Sequence, residues 1–221
     1  MISREVPVNI FGKLLIVVSL LTLLSLHVEA THLRAGQITV ERVACPGLTV
    51  KITVTVYTDT GCGGTCILFG GHEDILRFGD GFSVLVPMTP NTPVQGATNV
   101  GTASFSITHT FPGPGRYTIS YREPMRNNEV VNITSPGNNT FYLETEIDLS
   151  VGCSNSPVLL VPPIDEACSG VTFLHNPGAS DRDGDSLSYE LVVPLRDKNT
   201  PTLNYRDPNV PEFYAGLNYD L

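Results

Sequence analysis

Basic residues are scarce in this chain. Thirteen Lys and Arg stand against 22 Asp and Glu, giving a formal net charge of −9. A surface with that balance repels phosphate backbones, which argues against nucleic acid as a partner and is compatible with divalent cations. A helical repeat is missing as well. No stretch carries apolar residues at the spacing of one helix face, which excludes a helical bundle. Metal-binding cysteine pairs are also lacking. The CxxxC of Cys62 and Cys66 occurs once, with no second tight pair and no HxxxH, so zinc finds no ligand set.

Only one long hydrophobic run exists. Leu14 to Leu26 (LLIVVSLLTLLSL) is 13 residues long, preceded by Arg4 and Lys13 and followed by Val28-Glu29-Ala30. A membrane span needs about 20 apolar residues, so this run is too short for an anchor. Charged leader, apolar centre and small residues together read as a signal peptide over residues 1–30, cleaved after Ala30. The remainder, from Thr31, is expected to be soluble and to be secreted or displayed at the cell surface, on the exterior of the outer membrane.

Export permits disulfides. Cys62 and Cys66 flank a glycine-rich loop, and Cys153 and Cys168 flank a proline-rich one. Nearness in sequence suggests these two pairs, with Cys45 left over, although five cysteines do not determine connectivity. In the chain-entropy account the longer loop would contribute about 3 kcal/mol and the shorter about 2.

What the chain has in place of helical periodicity is a rhythm of two. In LTVKITVTVYTD, Leu48, Val50, Ile52, Val54 and Val56 fall on one face, with Thr49, Lys51, Thr53, Thr55 and Tyr57 on the other. ASFSITHTF alternates Ala103, Phe105, Ile107, His109 and Phe111 with Ser and Thr; RYTISYRE alternates Tyr117, Ile119 and Tyr121. In FYLETEIDLSV, Phe141, Leu143, Ile147, Leu149 and Val151 share a side. Such runs, rich in β-branched and aromatic residues and bounded by Gly, Pro or Asn, predict an all-β fold of antiparallel sandwich type. His109 reads as a packed strand residue, since no nucleophile signature accompanies it. A boundary falls near Cys153-Ser-Asn-Ser-Pro157. It separates a first sandwich over residues 31–152 from a second unit over 153–221. In that second unit Val158, Leu160, Phe173, Leu187, Tyr189, Leu191 and Val193 would begin a core. The second unit is short for a sandwich, so the chain is expected to be part of a longer protein.

Phe78-Gly79-Asp80-Gly81, followed by His109-Thr-Phe-Pro-Gly-Pro-Gly-Arg-Tyr117-Thr-Ile, resembles the paired signature of polycystic-kidney-disease-type (PKD) domains, which are Ig-like sandwiches. The resemblance covers residues 36–151. It departs from the pattern before FGDG, where Leu76-Arg77 stands in place of the usual tryptophan. A wider resemblance rests on THLRAGQITVERV, VYTDTG, ILFGG, HTFPGPGRYTISYRE, NSPVLLVPPID, HNPGASDRDGDSLSYELVVP and YRDPNVPEFYAGLNYD. These blocks are similar to the N-terminal region of large secreted surface proteins of gliding bacteria that carry PKD and cadherin-like repeats and a gliding motility-associated C-terminal sorting domain. That resemblance implies type IX secretion and a non-enzymatic role in adhesion or gliding. Its partners would be a surface glycan or protein ligand and the secretion or outer-membrane machinery. An accessory non-catalytic module of an exported hydrolase is the alternative.

Asp181, Asp183 and Asp185 form the candidate metal site. Calcium, which takes 6–8 oxygen ligands, is the candidate cofactor. An EF-hand is excluded by spacing, because position 6 would be Ser186 and position 12 Val192. The resemblance implies a cadherin-like site completed by groups distant in sequence. The competing reading is a turn in which Asp side chains accept backbone amides and Gly184 takes positive φ. The residues leave both open.

Overall fold

A computed structural model describes residues 33–61, 69–71, 73–124, 126–127, 130–163, 176 and 178–207. The segment read as a signal peptide lies outside the described residues, as do Cys62, Cys66 and Cys168.

The long strands are those the alternation marks. β1 (Leu33–Arg42) and β2 (Thr49–Asp59) form a hairpin, closed by the Val43 amide on the Thr49 carbonyl at 3.1 Å. β3 (Ile75–Arg77) and β4 (Ser83–Leu85) form a second, shorter one. β5 (Thr92–Pro93), β6 (Val100–Thr110), β7 (Arg116–Glu123) and β8 (Phe141–Asp148) complete the framework, with one 3-10 turn at Pro136–Asn138. Two four-stranded sheets result, β1-β2-β6-β5 and β4-β3-β7-β8. Every pairing between named strands is antiparallel. The fold is an all-β sandwich.

Alternation explains why the sheets stack. Val50, Ile52, Val54 and Val56 of β2 are wholly buried, as are Leu76 on β3 and Ile119 and Tyr121 on β7. Burying an aliphatic side chain of this size is worth about 2 kcal/mol. On the outer face of β2, Thr49, Thr53 and Thr55 pair their hydroxyls with Thr110, Ser106 and Ser104 of β6 at 2.9, 2.8 and 3.1 Å. β1 packs over β8 and β7. Gly36 makes that approach close: a Cβ there would stand 2.7 Å from the Thr55 carbonyl oxygen and 2.8 Å from Leu143. Val151 departs from the expected face and is 63% exposed. β8 ends at Asp148, whose carboxylate accepts the Ser150 amide at 2.8 Å, so the period of two stops before Val151.

Residues after the boundary lie along the first sandwich. β9 (Val158–Leu159) pairs with β10 (Ala179–Ser180), and β11 (Leu195–Asp197) with β12 (Thr200–Pro201). The main core cluster is drawn from residues between Leu33 and Leu149, while Leu160, Tyr189, Leu191, Val192 and Val193 are exposed. Of the two disulfides expected from nearness in sequence, the one at Cys153 differs in the structure. Cys45 is bonded to Cys153, so Cys153 is not the partner of Cys168 and Cys45 is not left over. The β1–β2 loop brings Cys45 beside the chain leaving β8, across a separation of 108 residues that nearness in sequence cannot reveal.

The FGDG loop between β3 and β4 spans Phe78–Phe82, with the Phe78 amide on the Phe82 carbonyl and positive φ at Gly79 (85°) and Gly81 (97°). A Cβ on Gly79 would fall 2.5 Å from the Thr118 carbonyl oxygen, whereas one on Gly81 meets open space. Gly79→Ala is therefore expected to cost about 3 kcal/mol or more, from backbone strain plus the clash, and Gly81→Ala about 1 kcal/mol from strain alone. Urea unfolding of the two variants tests this; equal costs would refute the close approach.

Candidate functional site

Two groups of polar side chains stand out, one at the turn after β10 and one between the sheets. The turn follows from its sequence. Asp181 Oδ1 accepts the amides of Asp183 and Asp185 at 2.8 and 3.1 Å, and Gly184 takes φ 83° with nothing near a Cβ. The turn of the competing reading, in which an Asp side chain accepts backbone amides, is thus present. It also gathers the three carboxylates: one oxygen from each of Asp181, Asp183 and Asp185 lies within 4.8 Å of the others. An all-oxygen anionic set of this kind suits a hard cation such as calcium, so the donor chemistry fits the expected cofactor.

The turn is docked onto the sandwich by a residue the sequence did not single out. Asn155 donates its amide and its side-chain nitrogen to the Asp183 carboxylate at 2.6 and 2.8 Å. Those two bonds hold the Asp183 carboxyl below the usual carboxylate range. Asn155 Oδ1 in turn accepts the Arg42 amide of β1 at 2.8 Å. Ser156 exchanges bonds with Val40, its amide to the Val40 carbonyl and its hydroxyl oxygen accepting the Val40 amide. Gln37 does the same for Leu159 through its side-chain amide, at 2.9 and 3.1 Å. Side chains here stand in for strand pairing along the outer edge of β1. Arg182 adds a contact of 3.9 Å to Glu41.

The second group joins the two sheets. His109 Nε2, on β6, lies 2.7 Å from Asp80 Oδ2 in the FGDG loop. The carboxylate can only accept, so this nitrogen carries the proton. The Asp80 side chain is 1% exposed. Burial pushes its carboxyl up, but the His109 hydrogen bond and charge and the Phe82 amide outweigh this and hold it below the ordinary value. Phe78 stacks on the His109 ring at 4.0 Å, and Phe111 meets it edge-on at 4.8 Å. Phe111 stacks on Tyr117, whose hydroxyl bonds the Gly113 carbonyl across the Pro-Gly-Pro-Gly turn. The paired signature in the sequence is therefore one physical contact.

Other acids that could do chemistry are engaged elsewhere. Asp59 pairs with Arg34 at 2.6 Å, and Asp74 accepts the Gly70 amide and the Tyr121 hydroxyl at 2.9 and 2.8 Å. Burial and the Asp74 charge push Tyr121 well above the tyrosine range. A small cavity of about 80 Å³, lined by Gly36, Gln37, Tyr57, Leu159 and Val161 among others, marks the seam where β9 lies on β1. It is far below the roughly 300–1,000 Å³ of ligand pockets. Among the described residues no helix is long and apolar enough to cross a membrane.

Comparison with known proteins adds no relative: no family model, no curated protein and no solved structure matches the chain.

Asp80 and Asp183 have depressed pKa values in the folded chain, so each contributes stability that is complete above the unfolded value near 4 and is lost as pH falls through the folded value. Unfolding free energy should accordingly drop on acidification below about pH 4, and Asp80→Asn should flatten that limb. An acid limb unchanged in Asp80→Asn would show that the contact with His109 carries no charge-dependent stability.

Proposed function

We propose that the chain is an exported, non-catalytic module of a cell-surface or matrix protein, acting in adhesion or gliding motility. The observation that carries this reading is the Cys45–Cys153 bond, which ties the loop after β1 to the segment leaving the sandwich. Disulfides persist in oxidising compartments, outside the cytosol. A cross-link at the exit of a sandwich also suits a part that transmits load along the chain. The engagement of Asp59, Asp74, Asp80 and His109 in structural contacts supports a non-enzymatic role. The FGDG loop and its histidine partner support placing the first sandwich with PKD-like domains. The outer face of β2 and β6, lined with Thr and Ser and nearly free of charge, suits a neutral surface glycan or a protein ligand. The family of gliding-bacterial surface proteins named above remains the proposed affiliation, with secretion or outer-membrane machinery as the second partner.

Calcium is the proposed cofactor, held by Asp181, Asp183 and Asp185. Because Asp183 is bonded to Asn155 and Asn155 to β1, a cation there would stiffen the attachment of the second unit to the first. Asp185 makes no hydrogen bond through its carboxylate among the described residues, so Asp185→Ala removes charge without breaking the anchor. Calcium should raise the melting temperature of the wild-type chain by several degrees and that of Asp185→Ala by much less. Equal shifts, or none, would remove the metal from this account.

Location and staple are tested together. Protease treatment of intact cells should release the chain, and reduction of the purified chain should lower its unfolding free energy by about 2–5 kcal/mol. A chain that is cytosolic, with Cys45 and Cys153 as free thiols, would overturn the reading.

A further inference from the structure

β6 presents a long unprotected edge. Its pairing with β2 runs without a break from Thr49↔Thr110 to Asp59↔Val100, so no bulge bends it away. On the other side β5 covers only Gly101 and Thr102. Residues 103–110 (ASFSITHT) therefore carry outward backbone groups without a strand partner. Strand edges are ordinarily blunted by lysine, proline, bulges or short length. This one has no lysine, proline or acid, and its one titratable group, His109, is held by Asp80. Beside it Phe82 is 67% exposed, its ring 6.3 Å from that of His109.

The same chain carries a segment with the sequence pattern of a strand and no sheet to join. Residues 186–193 (SLSYELVV) belong to no helix, strand or turn, and none of their backbone groups is hydrogen-bonded. They have the composition of a strand, with Leu187, Tyr189, Leu191 and Val193 at alternate positions. All four are exposed, Leu191 to 86%. Eight consecutive backbone units that bond to no other described part of the chain thus lie beside exposed apolar side chains, the kind of surface at which a partner binds.

We infer that residues 186–193 of one copy add as a strand to the β6 edge, residues 103–110, of a second copy. The two segments match in length. The acceptor is uncharged apart from the engaged His109, and the donor carries only Glu190, so two copies of an acidic chain meet there without opposed carboxylates. The apolar face of the donor would cover Phe82 and the half-buried Phe105 and Ile107. Within one copy the donor is anchored on the far side of the sheet. Asp183 is bonded to Asn155 at the outer edge of β1, and β2 lies between β1 and β6. Donor and acceptor thus sit at opposite edges, and the contact is head-to-tail, which propagates into a linear array unless the rotation closes a ring. This assembly does not depend on the adhesive reading.

Hydrogen exchange and sedimentation of the full chain across a concentration series test it. Amides of 103–110 and 186–193 should gain protection together, by about tenfold or more, as the sedimentation coefficient rises. Leu191→Pro, at an exposed position without contacts to the core, should disable the donor, and Ser106→Lys should disable the acceptor. Each variant alone should stay monomeric, while their mixture, which retains one intact donor and one intact edge, should stop at a 1:1 pair. A monomer at every concentration, assembly that survives both variants, or protection of 186–193 without 103–110 (a different occupant) would overturn the inference.

Discussion

Val50, Ile52, Val54 and Val56 point from β2 into an interior with no exposed surface, while Thr49, Thr53 and Thr55 hold hydroxyl partners on the opposite face. A slip of one residue would exchange the two sets, sending Thr and Lys51 inward and four aliphatic groups to water. β2 is the central strand of the first sheet in this respect, because β1 and β6 both take their register from it. Whatever those strands carry is positioned as a consequence: Gly36 under Leu143, His109 toward Asp80, and the Asn155 attachment along the free side of β1.

The sandwich uses polar contacts at its margins, where apolar packing thins. At one end the His109–Asp80 pair, wrapped by Phe78 and Phe111, fastens a loop of one sheet to a strand of the other. Far from it, Arg126 reaches the Leu195 carbonyl, Asn139 accepts the Leu203 amide, and Thr140 bonds the Arg196 carbonyl. Along the β1 edge, side chains of Asn155, Ser156 and Gln37 imitate a missing strand. A buried charge is tolerated when it is paired and hydrogen-bonded, and Asp80 meets both conditions. The same attachments that cover the β1 edge leave the β6 edge bare, so the two flanks of one sheet differ in kind.

The period of two located β2, β6, β7 and β8 and the inward positions of those strands, because inward and outward positions differ in hydrophobicity whatever the partner strand is; Phe69, Leu76, Phe78 and Val86 joined the core from short segments without that rhythm. β1 was harder. Gly36 and the bulge between Leu33 and Ala35 interrupt its alternation, leaving only Ile38 and Val40 as a signal. The aspartate turn was legible as a turn and as an oxygen cluster, since both follow from residues within five positions. Asn155 was not, since it lies 28 residues away from Asp183 and carries no local pattern.

Local chemistry therefore determined the long strands β2, β6, β7 and β8, their buried faces, the glycine-dependent turns and the closeness of Asp181, Asp183 and Asp185, for each depends on neighbours within a few bonds of one another. Tertiary structure alone decided that Cys45 meets Cys153, that the FGDG loop and the HTF strand meet around His109, and which sheet edge is covered. Those outcomes depend on which strands lie side by side in the two sheets, and a repeat of two along the chain is the same for every ordering.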